Sequence, residues 1–281
     1  MKDVSIFYTM SEELVQCVRT AGFEMEYAKF GNGPRALVVI PGLAIKSVMK
    51  SAASLQVPYK MFTEGYTLYF FDRRKDVDPG YSLEEMARDQ VLAMQALGLK
   101  DVALYGVSQG GMVAQHIAAT HPELVWKLVL GCSTSKPEPQ QLKVIGEWAR
   151  LARAHDREGL VEAFIRDCFS VKFAERYSRA LRAMYKDVTP EEMDRFAIFA
   201  RECDNVDTAD MLANIRCPVL VLAASEDRVV LPIASDKIVE KLRTANVPCE
   251  YEIFEGYGHA AFDEIKEYKD RILQFLLKEI P

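Results

Sequence analysis

Ser108 stands in Gly106-Val107-Ser108-Gln109-Gly110, a Gly-x-Ser-x-Gly arrangement where an apolar run, 102–107, gives way to a helical pattern starting at Gln109. So sharp a strand-to-helix turn exposes the serine hydroxyl and leaves the neighbouring amides at a helix N-terminus. The two glycines let the backbone pass without side-chain collisions. A serine hydroxyl is a poor nucleophile until a base takes its proton, and the chain holds four histidines. His116 lies eight residues into the helix after Ser108, about 12 Å along its axis and too far to reach back. His121 precedes Pro122 at the far end of that helix, and His155 falls in a long helical stretch remote in sequence. His259 sits in Gly256-Tyr257-Gly258-His259-Ala260, a glycine-rich loop directly after the last strand-like run. Loops at the carboxyl ends of parallel strands are where sites gather in open α/β sheets, so His259 is the expected base. The acid that would orient it follows the run 218–223 in Ala224-Ser225-Glu226-Asp227-Arg228. Asp227 is the choice and Glu226 the neighbour to exclude. One strand earlier, Gly131-Cys132-Ser133-Thr134 holds no carboxylate. Asp72, after Phe70-Phe71, precedes Ser108 in the chain and reads as structural.

These side chains need a scaffold, and the hydrophobic pattern supplies one. Nearly unbroken apolar runs at 36–40, 67–71, 102–107, 125–130, 218–223 and 249–254 suit strands buried on both faces, as in a parallel sheet. The segment 23–30 alternates instead, and Gly31-Asn32-Gly33 after it predicts a hairpin joining it to the run at 36–40. Helices fall between: Ser82-Leu83-Glu84-Glu85 has capping-box spacing before a helix that Gly98 closes, another spans 109–120, and the last spans 263–279. Between 137 and 216 no strand-like run occurs. That stretch reads as amphipathic helices over 142–154, 157–168, 171–186 and 190–201, the last with Thr189 as cap. The division is a core of 1–136 and 214–281 carrying a helical lid, 137–213. The lid's aromatics (Trp148, Phe164, Phe169, Phe173, Tyr177, Tyr185, Phe196 and Phe199) either face a substrate or pack the lid on the sheet.

Composition narrows the classes further. The 281 residues are 49% hydrophobic and 27% charged, ample for a large core without a disulfide or metal staple. A net charge of −6 argues against gripping nucleic acid. Met1-Lys2-Asp3-Val4-Ser5-Ile6 does not open a secretory signal, and no apolar window is long enough to span a membrane. Six cysteines without a CxxC pair read as free thiols in a reducing compartment, which makes the expected location cytoplasmic. Neither a GxGxxG, a P-loop nor metal-ligand spacing occurs, so no cofactor and no metal is expected. A small-molecule substrate is the expected partner, and homodimerisation stays open.

At these residues the chain resembles the α/β-hydrolase superfamily, whose nucleophile–acid–histidine order Ser108, Asp227 and His259 reproduce at separations of 119 and 32 residues. The resemblance runs over 22–280. It implies a three-layer α/β/α sandwich on an eight-stranded, mostly parallel sheet with a helical cap after the sixth strand, and acyl transfer through an acyl-serine. It also implies an oxyanion hole of two main-chain amides: Gln109, next to the nucleophile, and Leu43 in Ile40-Pro41-Gly42-Leu43, where proline replaces the family's usual histidine. Serine at the elbow sets the chain apart from relatives with aspartate there (haloalkane dehalogenases, epoxide hydrolases) and from the cysteine-based dienelactone type. The expected function is hydrolysis of a carboxylic ester of a small to medium apolar substrate. The alternatives are a carbon–carbon bond hydrolase, thioesterase, lactonase, perhydrolase or acyltransferase on the same triad, or a ligand-binding hydrolase fold with little turnover.

Overall fold

The structure, a computed structural model, describes residues 14–279. The opening Met1-Lys2-Asp3-Val4-Ser5-Ile6, and with it the expectation about a secretory signal, lies outside them, as does Ile280. Eight strands form one sheet in the order β1-β2-β4-β3-β5-β6-β7-β8: β1 (Val15–Arg19), β2 (Glu24–Phe30), β3 (Arg35–Ile40), β4 (Tyr66–Arg74), β5 (Val102–Val107), β6 (Val125–Gly131), β7 (Val219–Ala224) and β8 (Cys249–Phe254). From β4 across to β8 every neighbouring pair is parallel. The continuous apolar runs follow from burial on both faces. Val38, Ile40, Leu104, Leu128 and Val221 point into one hydrophobic layer. Leu37, Val39, Tyr105, Val129 and Leu222 point into the other.

The expected hairpin between 23–30 and 36–40 does not form. β2 pairs antiparallel with β1 and β4, and β3 lies beyond β4, parallel to it. The glycines of Gly31-Asn32-Gly33 serve a crossing instead of a two-residue turn. A Cβ on Gly33 would lie 2.0 Å from the Tyr66 nitrogen, so only glycine lets the chain pass under the start of β4. The hairpin that exists joins β1 to β2 through a turn closed by Thr20 N–H donating to Phe23 O (3.0 Å). β1 is largely exposed and carries no apolar run, which is why the pattern did not announce it.

Helices cover both faces: α1 (Ala52–Tyr59), α2 (Leu83–Ala96), α3 (Gln109–Thr120), α4 (Pro139–Arg153), α5 (Arg157–Cys168), α6 (Val171–Met184), α7 (Pro190–Glu202), α8 (Pro232–Thr244) and α9 (Lys266–Leu277). The expected capping box of Ser82 with Glu85 is present, and Thr189, expected as a cap, also forms one with Glu192. The final helical segment is broken rather than continuous. A single turn, Ala261–Glu264, is separated from α9 by Ile265 in extended conformation (φ −134, ψ 144). Helices α4 to α7 intervene between β6 and β7, the place where the sheet rhythm of the sequence breaks.

One buried charge ties the last helix to the sheet. Lys127 on β6 is 2% exposed. Its ammonium donates to Phe275 O (2.9 Å), Leu276 O (3.1 Å) and Lys278 O (2.5 Å), the carbonyls left unpaired at the end of α9. Lys127→Met keeps the length but leaves those acceptors without a donor. It is expected to cost about 2 kcal/mol, seen as a thermal midpoint lower by roughly 4–8 °C in calorimetry.

Candidate active site

The elbow is held by contacts that exclude any side chain at its two glycines. A Cβ on Gly106 would meet Gly110 O at 2.3 Å, and one on Gly110 would meet Ile40 O at 2.0 Å, so strand, turn and helix stack backbone on backbone. Between them Ser108 adopts φ 52 and ψ −120, a strained conformation for a residue with a Cβ. Main-chain bonds hold it there. Ser108 N–H donates to Gly131 O (2.8 Å), and Ser108 O accepts from Ser133 Oγ (2.8 Å) and from the amides of Gly111 and Met112. The hydroxyl takes no part in this scaffold.

Two loops at the same rim bring together the other predicted side chains. Asp227 Oδ2 accepts from His259 Nδ1 at 2.7 Å, both side chains being buried. Asp227 Oδ1 accepts from the amides of Val229 and Val230, each at 2.8 Å, which fixes the carboxylate from behind. Glu226 points to solvent. Its amide donates to Tyr257 O (2.9 Å) and ties the acid's loop to that of the histidine. The histidine loop is also tied to the helical insertion. Ala260 N–H donates to Cys168 O (2.7 Å), and Gly258 passes so close that a Cβ would sit 2.9 Å from Cys168 O. The other histidines lie elsewhere: His155 pairs with Asp194 (2.8 Å), His121 with Glu123 (3.3 Å), and burial lowers the pKa of His116.

Cys132 lies beside the acid and base, on a strained φ of 45 just past β6. Its sulfur, the carboxylate and the imidazole have donor atoms within 4.8 Å of one another, a spacing that could hold a metal ion. Both Asp227 oxygens are already taken, by the imidazole and by two amides. Burial and the Asp227 charge push the Cys132 thiol pKa up, against the thiolate a metal would need. The set therefore fits a hydrogen-bonded acid–base couple better than a metal site.

The loop Pro41-Gly42-Leu43 runs against the nucleophile, a Cβ on Gly42 falling 3.1 Å from Ser108 Cβ. Among the described residues neither the Leu43 nor the Gln109 N–H is spent on a protein acceptor. Arg73, at the end of β4, joins the two segments. Its buried guanidinium donates to Pro41 O (3.0 Å) and to Gln109 Oε1 (3.3 Å). Gln109 Nε2 in turn donates to Phe199 O on α7 (2.6 Å). Asp72, next to it, accepts from Ser47 Oγ (2.5 Å) and from Arg73 N–H (2.7 Å). Reasoning from the sequence named Gln109 for its amide and did not find Arg73, because nothing in Phe71-Asp72-Arg73-Arg74 marks which arginine turns inward.

A cavity of about 240 Å³ opens between the sheet rim and the insertion, with Ser108, His259, Gly42 and Leu43 on its wall. Of the eight aromatics singled out in the insertion, Trp148, Phe164, Phe169 and Tyr185 line it. The other four do not. Phe196 packs behind Phe164 (centroids 6.4 Å apart), Phe173 packs tilted against Tyr177 (4.6 Å), and Phe199 packs on Tyr81 (6.1 Å). The two readings of these residues thus divide the set between them.

Comparison with known proteins agrees with this architecture. The alpha/beta hydrolase fold family matches residues 71–264. The serine hydrolase BPHL of Homo sapiens is 26% identical over 234 residues, covering 79% of this chain and 73% of its own. Two solved structures resemble the fold at 18% identity. The alpha/beta hydrolase enzyme MGS-M2, from a Medee basin deep-sea metagenome library, has a TM-score of 0.83 over 95% of this chain and 98% of its own. The enol-lactonase from Burkholderia xenovorans LB400 has 0.80 over 94% and 100%. The family match takes in more than half of the chain, with Ser108, Asp227 and His259 inside it, and the chain belongs to the alpha/beta hydrolase family.

Proposed function

We propose that the protein is a serine hydrolase that cleaves carboxylic esters through an acyl-serine intermediate. The observation that carries this reading is the 2.7 Å bond from Asp227 to His259 Nδ1 at the wall of the cavity that Ser108 also lines. With Nδ1–H held by the carboxylate, the other ring nitrogen is left free to accept the Ser108 proton. The serine oxygen then attacks the ester carbonyl, and the carbonyl oxygen takes up negative charge against the amides of Leu43 and Gln109. The imidazolium returns the proton to the departing alcohol. Water, deprotonated by His259, attacks the acyl-serine and releases the acid. Helices α4 to α7 act as the cap, and their aromatic side chains give the substrate an apolar surface. Six free thiols suit a reducing cytoplasm. BPHL carries the name serine hydrolase, and its likeness supports the same class here.

The test is a fluorophosphonate probe followed by peptide mass spectrometry. A single phosphonyl adduct is expected on the peptide holding Ser108, and none in Ser108→Ala. A folded native protein that stays unlabelled would overturn the reading and leave a binding protein on a hydrolase fold. A second expectation concerns Arg73, which positions both amides of the oxyanion hole through Pro41 and Gln109. Arg73→Met is expected to lower kcat by about tenfold to a hundredfold with KM nearly unchanged, since the donors matter most to the charged transition state.

A further inference from the structure

The charged groups on the cavity wall are Lys46, His259 and Asp263. Lys46 is paired with Asp187 at 2.9 Å, and His259 is engaged by Asp227. Asp263 is different. It lies in the turn just past His259, more than half of its side chain stays accessible, and among the described residues its carboxylate accepts no hydrogen bond. Asp263 lies on the cavity wall, and desolvation, the largest influence on its carboxyl, raises its pKa. Its neighbours are aromatic or spent. Lys269 Nζ is 4.0 Å away, donates to Phe262 O and lies 5.2 Å from the Tyr59 ring centroid. The carboxylate therefore has acceptor capacity to spare on the wall of a mostly apolar cavity, and a ligand that enters can supply the donor.

Resting on the esterase reading, we propose that Asp263 is a substrate-recognition group, accepting a hydrogen bond from a neutral hydroxyl carried by the ester, so that the preferred substrates are hydroxylated aliphatic esters. A neutral donor is favoured over an ammonium because Lys269 already balances the carboxylate. A second cation would be repelled by it and would lose its own hydration on entry.

The experiment compares matched benzyl esters: 3-hydroxybutanoate against 3-methylbutanoate, and 6-hydroxyhexanoate against heptanoate and 6-ammoniohexanoate. At least one hydroxylated ester is expected to exceed its isostere in kcat/KM by about 10- to 100-fold, with the ammonium ester below it. Asp263→Leu is expected to abolish that ratio and Asp263→Asn, whose amide oxygen still accepts, to keep part of it. Taking ratios within each variant cancels any general loss of fold. The same pairs are titrated calorimetrically into Ser108→Ala, where binding is read without turnover. If no ester is hydrolysed but the hydroxylated ones bind more tightly, the esterase reading fails and the recognition group stands. Equal ratios in the unmodified protein, or a preference that survives Asp263→Leu, would overturn it.

Discussion

Ser108→Ala is expected to lower kcat for p-nitrophenyl butanoate by about 10⁶, and adding His259→Ala to it is expected to cost almost nothing more. The fold survives the first change because the elbow is fixed by main-chain bonds, Ser108 N–H to Gly131 O and Ser133 Oγ to Ser108 O, that do not involve the hydroxyl. The second change costs little because the imidazole has one task, moving the serine's proton, and that task disappears with the oxygen. What remains in both variants is the amide pair of Leu43 and Gln109 and the cavity that binds the ester, enough for a residual rate above that of water alone. Steady-state kinetics on the two single variants and the double variant read the coupling directly. A double variant another hundredfold slower than Ser108→Ala would mean that His259 activates something other than Ser108, a water molecule for instance, and the covalent route would be wrong.

How far the sequence alone reaches depends on whether a feature is local. The elbow was legible because its requirement is local: two glycines and a serine between a strand and a helix, with the reason visible in Cβ positions that would fall 2.3 and 2.0 Å from backbone oxygens. His259 was legible because four histidines allow elimination, and Asp227 because it follows directly on an apolar run. The partner of β2 was not legible. Alternation says that a strand has one buried face but not which neighbour it takes, and the glycine loop that looks like a turn is a crossing under β4. Helix α1 was missed because Pro58 stands inside it. Arg73 and Asp263 were missed for a deeper reason. Each matters through what surrounds it, and those surroundings come from segments as far apart as Pro41 and Gln109, or Tyr59 and Lys269.

Asp227→Asn is expected to lower kcat by about 10⁴ while the protein stays folded, and the direction of the amide decides it. The Oδ1 position accepts from two backbone amides, Val229 and Val230, each at 2.8 Å, and both can only donate. The asparagine must therefore turn its oxygen to them, because the reverse orientation would set a donor against two donors. Its NH₂ then faces His259 Nδ1, which becomes an acceptor, and the ring proton moves to the other nitrogen. An imidazole so protonated cannot take the serine's proton, although every heavy atom keeps its place. The loss should therefore fall on kcat and on the rate of fluorophosphonate labelling together, with KM and the thermal midpoint little changed. A loss below tenfold would show that another group orients the ring. Cys132 is placed to do so, its sulfur lying within 4.8 Å of both partners, so the decisive comparison is then Asp227→Asn with and without Cys132→Ala.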